Sequence, residues 1–256
     1  MQKLLLRIFL TLISIGAFHW QSANADTDSK SNLVAALKLT QTHFYWGDSE
    51  TIVSEQGLRI NNLGKMHFSL VASSPNWDVT VFRDDDKTYL RQSLKQFLLS
   101  GLISDFVVSR QPQSIGAGAP VTNVKIGDST VKEIKLVKDI YQYLPVKNLA
   151  PAIENILYAT FKTPTNGGLP IKVTKRQRGR DWLTGLQRTD SQKVLLNTKE
   201  IKHVMVNKSI FEAPRGYQPR HSMQEVLMSK ANRDAAGDMD EIFDANSGKT
   251  ERAKTK

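Results

Sequence analysis

Short runs of alternating apolar and polar residues, separated by turn-forming clusters, dominate the first half of the chain. Residues 51–60 are rich in β-branched side chains and end at Asn61-Asn62-Leu63-Gly64, a turn cluster. Residues 66–72 read as a second strand, stopped by Ser73-Ser74-Pro75. In residues 77–82, WDVTVF, a period of two puts Trp77, Val79 and Val81 on one face and Asp78, Thr80 and Phe82 on the other. A short strand follows at residues 87–91. Residues 33–46 are two-sided: Leu33, Ala36 and Leu37 suit a helix start, while 40–46 prefer a strand. Asp84-Asp85-Asp86 fall where a hairpin connection belongs. Aspartate accepts backbone hydrogen bonds and tolerates unusual φ, so a turn is expected there. A hard-cation site is the alternative, but it needs further oxygen ligands from elsewhere, and no EF-hand spacing follows.

The period changes to that of a helix twice. In residues 93–106, Ser93 and Gln96 stand in capping-box register, and Leu94, Phe97, Leu98 and Leu102 form an apolar stripe. Gly101 weakens this helix but leaves room for close packing. In residues 145–161, Val146, Leu149, Ile153, Ile156, Leu157 and Thr160 recur at helical spacing. The start lies at Pro145 or, because a proline interrupts the interior, at Pro151. Between the helices lies a long insert with a Gly/Pro-rich loop, including GAGAP at 116–120, and one strand. Strand signals return after Asn166-Gly167-Gly168. Residues 169–176 and 180–188 predict a hairpin turning near Arg178-Gly179, followed by strands at 194–197 and 199–206. Ser222 and Glu225 then open a short helix with Met223, Val226 and Leu227 on one side. The order predicts an α+β fold: a curved antiparallel sheet, an incomplete β-barrel, with helices packed on its concave side. Without internal repeats, residues 26–230 are expected to form a single domain. Residues 231–256 are small, polar and nearly charge-balanced, and are expected to form a disordered tail.

The N terminus changes the compartment. Lys3 and Arg7, the apolar run at 8–18 and Ala23-Asn24-Ala25 have the layout of a signal peptide cleaved after Ala25. An exported, periplasmic or secreted, protein is expected. The chain has no cysteine, which removes disulfides, thiolate metal sites, cysteine nucleophiles and lipidation at an N-terminal cysteine. The net charge is +10; Lys3 and Arg7 would leave with the signal, giving +8. Such an excess favours anionic neighbours. Its densest patch is KVTKRQRGR, with Lys172, Lys175, Arg176, Arg178 and Arg180 as candidate contacts to an anionic partner. The patch has no base-stacking aromatics, and the chain is read as exported, so nucleic acid is not an expected partner.

Candidate catalytic chemistry is sparse. His43, His67, His203 and His221 show none of the spacings of a zinc site, and there is no Gly-x-Ser-x-Gly elbow. Neither a metal nor a cofactor is expected, and the chain reads as a non-enzyme. Four segments carry a family resemblance: ETIVSEQGLRINN (50–62), PNWDVTVFRDDDKTY (75–89), NGGLPIKV (166–173) and LNTKEIKHVMVNKSIFEAPRGYQP (196–219), which ends on Phe211, Pro214, Gly216 and Tyr217. Together they resemble the periplasmic lipoprotein-carrier and lipoprotein-sorting (LolA-like) superfamily. That resemblance implies a half-barrel covered by helices, with an apolar cavity holding acyl chains and no catalysis. The expected function is therefore a non-catalytic carrier or binder of a lipid, lipoprotein or other amphiphile. Trp77, Val79 and Val81 are candidates to line its cavity, their alternative role being solid core. The positive surface would let such a carrier hold an anionic headgroup or approach an anionic membrane surface. The competing expectation is a basic interaction module docking on an anionic envelope polymer or protein partner.

Overall fold

The computed structural model describes residues 32–64, 66–102, 115, 118–137, 139–177 and 191–228. The expected leader, the tail and the 180–188 arm lie outside them. The described chain runs β1 (Leu33–His43), β2 (Gly47–Val53), β3 (Gly57–Asn62), β4 (Ser69–Ser73), β5 (Val79–Arg83), β6 (Thr88–Gln92), α1 (Leu94–Ser100), β7 (Val121–Ile126), β8 (Ser129–Lys135), β9 (Ile140–Pro145), α2 (Pro151–Phe161), β10 (Gly168–Gln177), β11 (Ser191–Asn207), a 3₁₀ turn (Lys208–Phe211), β12 (Gln218–Pro219) and α3 (Met223–Leu227). All twelve strands join one open sheet in the order β12-β6-β5-β4-β3-β2-β1-β11-β10-β9-β8-β7. Two antiparallel meanders meet where β1 pairs with β11, from Leu33 opposite Asn207 to His43 opposite Leu196. The short β12 runs parallel to β6, which makes the sheet mixed. No helix among the described residues is long and apolar enough to cross a membrane.

Several boundaries differ from the sequence expectation. The strand expected over 51–60 is two strands, with Val53 opposite Leu58. The reversal is a local turn: the Ser54 N–H donates to the Gly57 carbonyl at 2.9 Å, and the Ser54 hydroxyl accepts from the Gln56 N–H at 3.2 Å. Residues 33–43 are strand, because pairing with β2 and β11 on both sides overrides the helical start. The insert between the helices holds three strands, β7 to β9, where one was expected. The two strands expected at 194–197 and 199–206 are one strand, kept continuous by an irregularity opposite Thr40 and Gln41. Proline settles the start of α2 at Pro151, with Pro145 closing β9. The Ser93–Gln96 capping box is formed, and Ser222 caps α3 by accepting the Glu225 N–H. Gly101 ends α1 at φ 61, and a β-carbon there would stand 2.9 Å from the Ala159 carbonyl oxygen of α2.

One apolar cluster unites the helices with the sheet. It joins Phe97 of α1, Ile153, Ile156 and Leu157 of α2, and Val226 of α3 to Leu39, Ile60, Leu70, Val81, Val131 and Ile171 from strands on both sides of the β1–β11 seam. Strands β4 and β5 are buried along almost their whole length on both faces. The C-terminal segment supplies cover beyond the helices. Phe211 lies where a side chain on Gly57 would be, the Tyr217 ring meets Phe82 edge-on at 5.9 Å, and the Arg59 guanidinium lies 5.6 Å from the Phe82 ring centroid. A β-carbon on Gly57 would sit 2.3 Å from Phe211. Gly57→Ala is therefore expected to cost about 2 kcal/mol through overpacking, seen as a lower urea midpoint with an unchanged m value.

Candidate functional site

The aspartate run is a hairpin connection between β5 and β6, and its members do different work. The Arg83 side chain is 1% exposed. Its guanidinium donates to both carboxylate oxygens of Asp85 and to the carbonyls of Met66 and Leu227. Hydrogen bonds from Arg83 hold the Asp85 carboxyl below its ordinary pKa. The neighbouring Asp84 accepts the Tyr217 hydroxyl at 2.6 Å and so pins the C-terminal segment. The run thus ties β5, the loop before β4, α3 and the C-terminal cover together. Among the described residues no cluster of three or more His, Asp or Glu gathers as a metal site would require.

Of the candidate cavity residues, Val79 and Val81 are 1% and 0% exposed and belong to the solid cluster. The expectation that Trp77 continues their strand face is corrected. Its N–H closes a turn onto the Ser73 carbonyl, its φ is 57, and β5 begins at Val79. Trp77 packs, partly buried, against the same cluster. None of the three lines either cleft described next. Of the basic candidates, Lys172, Lys175 and Arg176 lie on β10, while Arg178 and Arg180 fall outside the described residues.

The first cleft, about 190 Å³, lies at the seam between sheet and helix. Ala35, Ala36 and Leu37 of β1 and Val53 of β2 form one side. Val146, Lys147, Asn148 and Leu149, the lead-in to α2, form the other, and Glu55 and His203 stand at the rim. Asn148 holds a left-handed turn at φ 60 and reaches Glu55 at 3.4 Å. Leu37, Val53, Val146 and Leu149 also pack against the main cluster, so the apolar walls continue inward. A second cleft of about 240 Å³ lies between the β4–β5 loop and the C-terminal segment. Its lining includes Asp78 and Arg91, paired at 2.9 Å, and it is the more polar of the two.

A buried polar row crosses the sheet in register: Thr198, Gln41, Ser49 and Asn62. The Gln41 amide donates to the Pro170 carbonyl at 3.0 Å and to the Thr198 hydroxyl at 2.9 Å, and accepts from the Thr51 hydroxyl at 3.0 Å. His43 lies at the end of β1, against the rings of Phe161, Tyr45 and Trp46 at 5.5, 5.7 and 6.4 Å. Its Nδ1 accepts the Tyr45 N–H, which leaves Nε2–H to donate to the Phe161 carbonyl at 3.2 Å. Burial lowers its pKa from 6.5 to about 4, with the Phe161 bond offsetting part of the shift. Beyond His43 the hairpin tip exposes Phe44 and Tyr45, 53% and 45% accessible. The Lys193 ammonium lies 3.3 Å from the Phe44 ring centroid and 5.4 Å from that of Tyr45. This tip was not singled out from the sequence. Its signal, His-Phe-Tyr-Trp at 43–46, was present but fell in the segment with two readings.

No protein-family model matches the chain, and no curated protein does either. Among solved structures the chain is similar to that of an uncharacterized conserved protein from Thermus thermophilus, with a TM-score of 0.38 and 9% identity, over 75% of this chain and 94% of that one.

Proposed function

We propose that this protein is an exported, non-catalytic binder or carrier of a lipid, lipoprotein or other amphiphile, built as a half-barrel with its helices on the concave side. The observation that carries it is the seam cleft: an apolar slot between β1–β2 and the lead-in to α2 whose walls merge with the cluster shared by sheet and helices. Two further features support it. Strands from both meanders contribute to one cluster with an eleven-residue helix, as a sheet bent around that helix would. The sequence resemblance to lipoprotein carriers implies the same architecture.

Magnitudes restrict how cargo is held. The cleft of about 190 Å³ has room for about six methylene-sized groups at the ~30 Å³ of a water molecule. Six methylenes contribute about 5 kcal/mol before association costs. The slot therefore grips the start of an acyl chain, and tight binding requires residues 146–149 to shift outward and admit more of it. Ala35 is exposed at the cleft, so Ala35→Trp fills it without disturbing the core. That variant is expected to melt like the parent and to bind a dansyl-labelled fatty acid about tenfold more weakly. Native mass spectrometry of the protein purified from cells should show bound lipid. An empty protein that also leaves the probe unbound would refute the cargo.

A further inference from the structure

We propose that the β1–β2 tip and the adjoining end of the β10–β11 ladder together form a docking surface for an anionic lipid bilayer. Phe44 and Tyr45 project from the tip, half-exposed, with their rings packed edge-to-face at 5.0 Å. The Phe44 N–H donates to the Leu195 carbonyl at 2.9 Å, which fastens the tip to β11. Lys193 of β11 lies over both rings, and Lys175 of β10 stands directly opposite Lys193 in the antiparallel register. Aromatic rings and basic residues therefore occupy one continuous surface.

The charge pattern selects the occupant. Like charges directly opposed across an antiparallel pair destabilise a sheet. Elsewhere on β11 the lysines meet carboxylates: Lys199 bonds Asp48 at 3.0 Å and Lys202 bonds Glu200 at 2.8 Å. No carboxylate among the described residues forms an ion pair with Lys175 or Lys193. A pair without a carboxylate partner among the described residues, beside exposed rings, suits a surface offering both negative charge and a boundary for amphipathic rings. An anionic bilayer offers both: its headgroups attract lysines, and its interface takes up aromatic side chains. A soluble polyanion matches the lysines but gives the two rings no apolar layer to enter. Docking is independent of the cargo, since an empty protein would bind the same way.

The test uses the full chain, purified in the form that accumulates in cells, and vesicles of phosphatidylglycerol with phosphatidylethanolamine against vesicles of phosphatidylcholine. All variants share one N terminus, so any contribution from residues 1–25 cancels in the ratios. The parent should bind the anionic vesicles and release them as salt rises. Lys175→Gln with Lys193→Gln should weaken binding about 25-fold while melting no lower than the parent, and Phe44→Ser with Tyr45→Ser should weaken it about tenfold. Tyr45→Trp should blue-shift on adding anionic vesicles, in difference against the parent, whose own tryptophans cancel. Equal binding by parent and double-lysine variant, or no spectral shift, overturns the proposal. Binding to polyphosphate that is lost with the lysines, while Tyr45→Trp stays silent on vesicles, also overturns it and makes the occupant a polymer.

Discussion

Asp85→Ala is expected to lower the unfolding free energy by about 3 kcal/mol, while Asp84→Ala, one residue away, costs less than about 1 kcal/mol. The two carboxylates have different partners. Asp85 neutralises a guanidinium that is almost wholly removed from water, and its loss leaves that charge, among the described residues, with the Met66 and Leu227 carbonyls. A buried charge stripped of its counter-ion is among the costliest single changes. The Asp85 side chain is itself 49% exposed, which places the expected loss at the low end for buried pairs. Asp84 makes one exposed bond to Tyr217 and favours the charge of the half-buried Arg59, which keeps its bonds to Asn61 and the Ile210 carbonyl when Asp84 is gone. Adding Arg83→Met to Asp85→Ala should recover part of the loss, since the stranded charge goes too. Denaturant titration of the parent and these three variants at neutral pH gives every number needed. Equal losses at Asp84 and Asp85, or a melting temperature that climbs with micromolar calcium, would return the run to a cation site. Because Arg83 lowers the Asp85 pKa, its contribution is full above pH 3.8 and is lost as pH falls through the still lower folded value.

That asymmetry also shows what a sequence can and cannot display. A turn at 84–86 is legible because it depends on local chemistry, as do the Ser93–Gln96 box, the Ser222 cap and the Pro151 start. What Asp85 does is not legible, because two of the groups that share Arg83 lie 17 and 144 residues away in the chain. The face expected for Trp77, Val79 and Val81 assumes an unbroken period of two. That period holds only while φ stays negative, and Trp77 at φ 57 breaks it. In the insert, Gly127 and Asp128 sit between two alternating runs and turn the β7–β8 hairpin at a Gly127 φ of 54. This hairpin signal was readable and lay masked by the Gly/Pro-rich stretch before it.

The candidate surfaces were less legible than the fold, for one physical reason. Each depends on register between strands distant in sequence. Lys175 and Lys193 become neighbours only once β10 pairs with β11, and Lys193 reaches Phe44 only because β11 also pairs with β1. The seam cleft likewise needs the lead-in to α2 laid against β1 and β2. A patch such as 172–180 shows where charge is dense. The sheet decides which of those charges share a surface with apolar side chains.

Acidification should produce the second large effect, through His43. In the unfolded chain an imidazole takes up its proton near pH 6.5, whereas burial in the fold delays this to about pH 4. Between those values the unfolded state binds more protons, so stability falls as pH is lowered and the loss is complete near pH 4. A fall from 6.5 to about 4 corresponds to about 3 kcal/mol. The structural consequence is specific. Protonated Nδ1 becomes a donor facing the Tyr45 N–H, which is a donor already, so the bond at the base of the β1–β2 tip is broken. The unfolding free energy of the parent from urea titration should therefore drop between about pH 7 and about pH 4, and that of His43→Leu should drop by about 3 kcal/mol less. Asp85 cannot mimic this, because its window opens only below pH 3.8. Parallel pH profiles for parent and variant would show that His43 protonates as readily in the fold as outside it. If the profiles diverge as expected, the aromatic tip is the part of the sheet that acid loosens first, and Tyr45→Trp emission should report it before global unfolding.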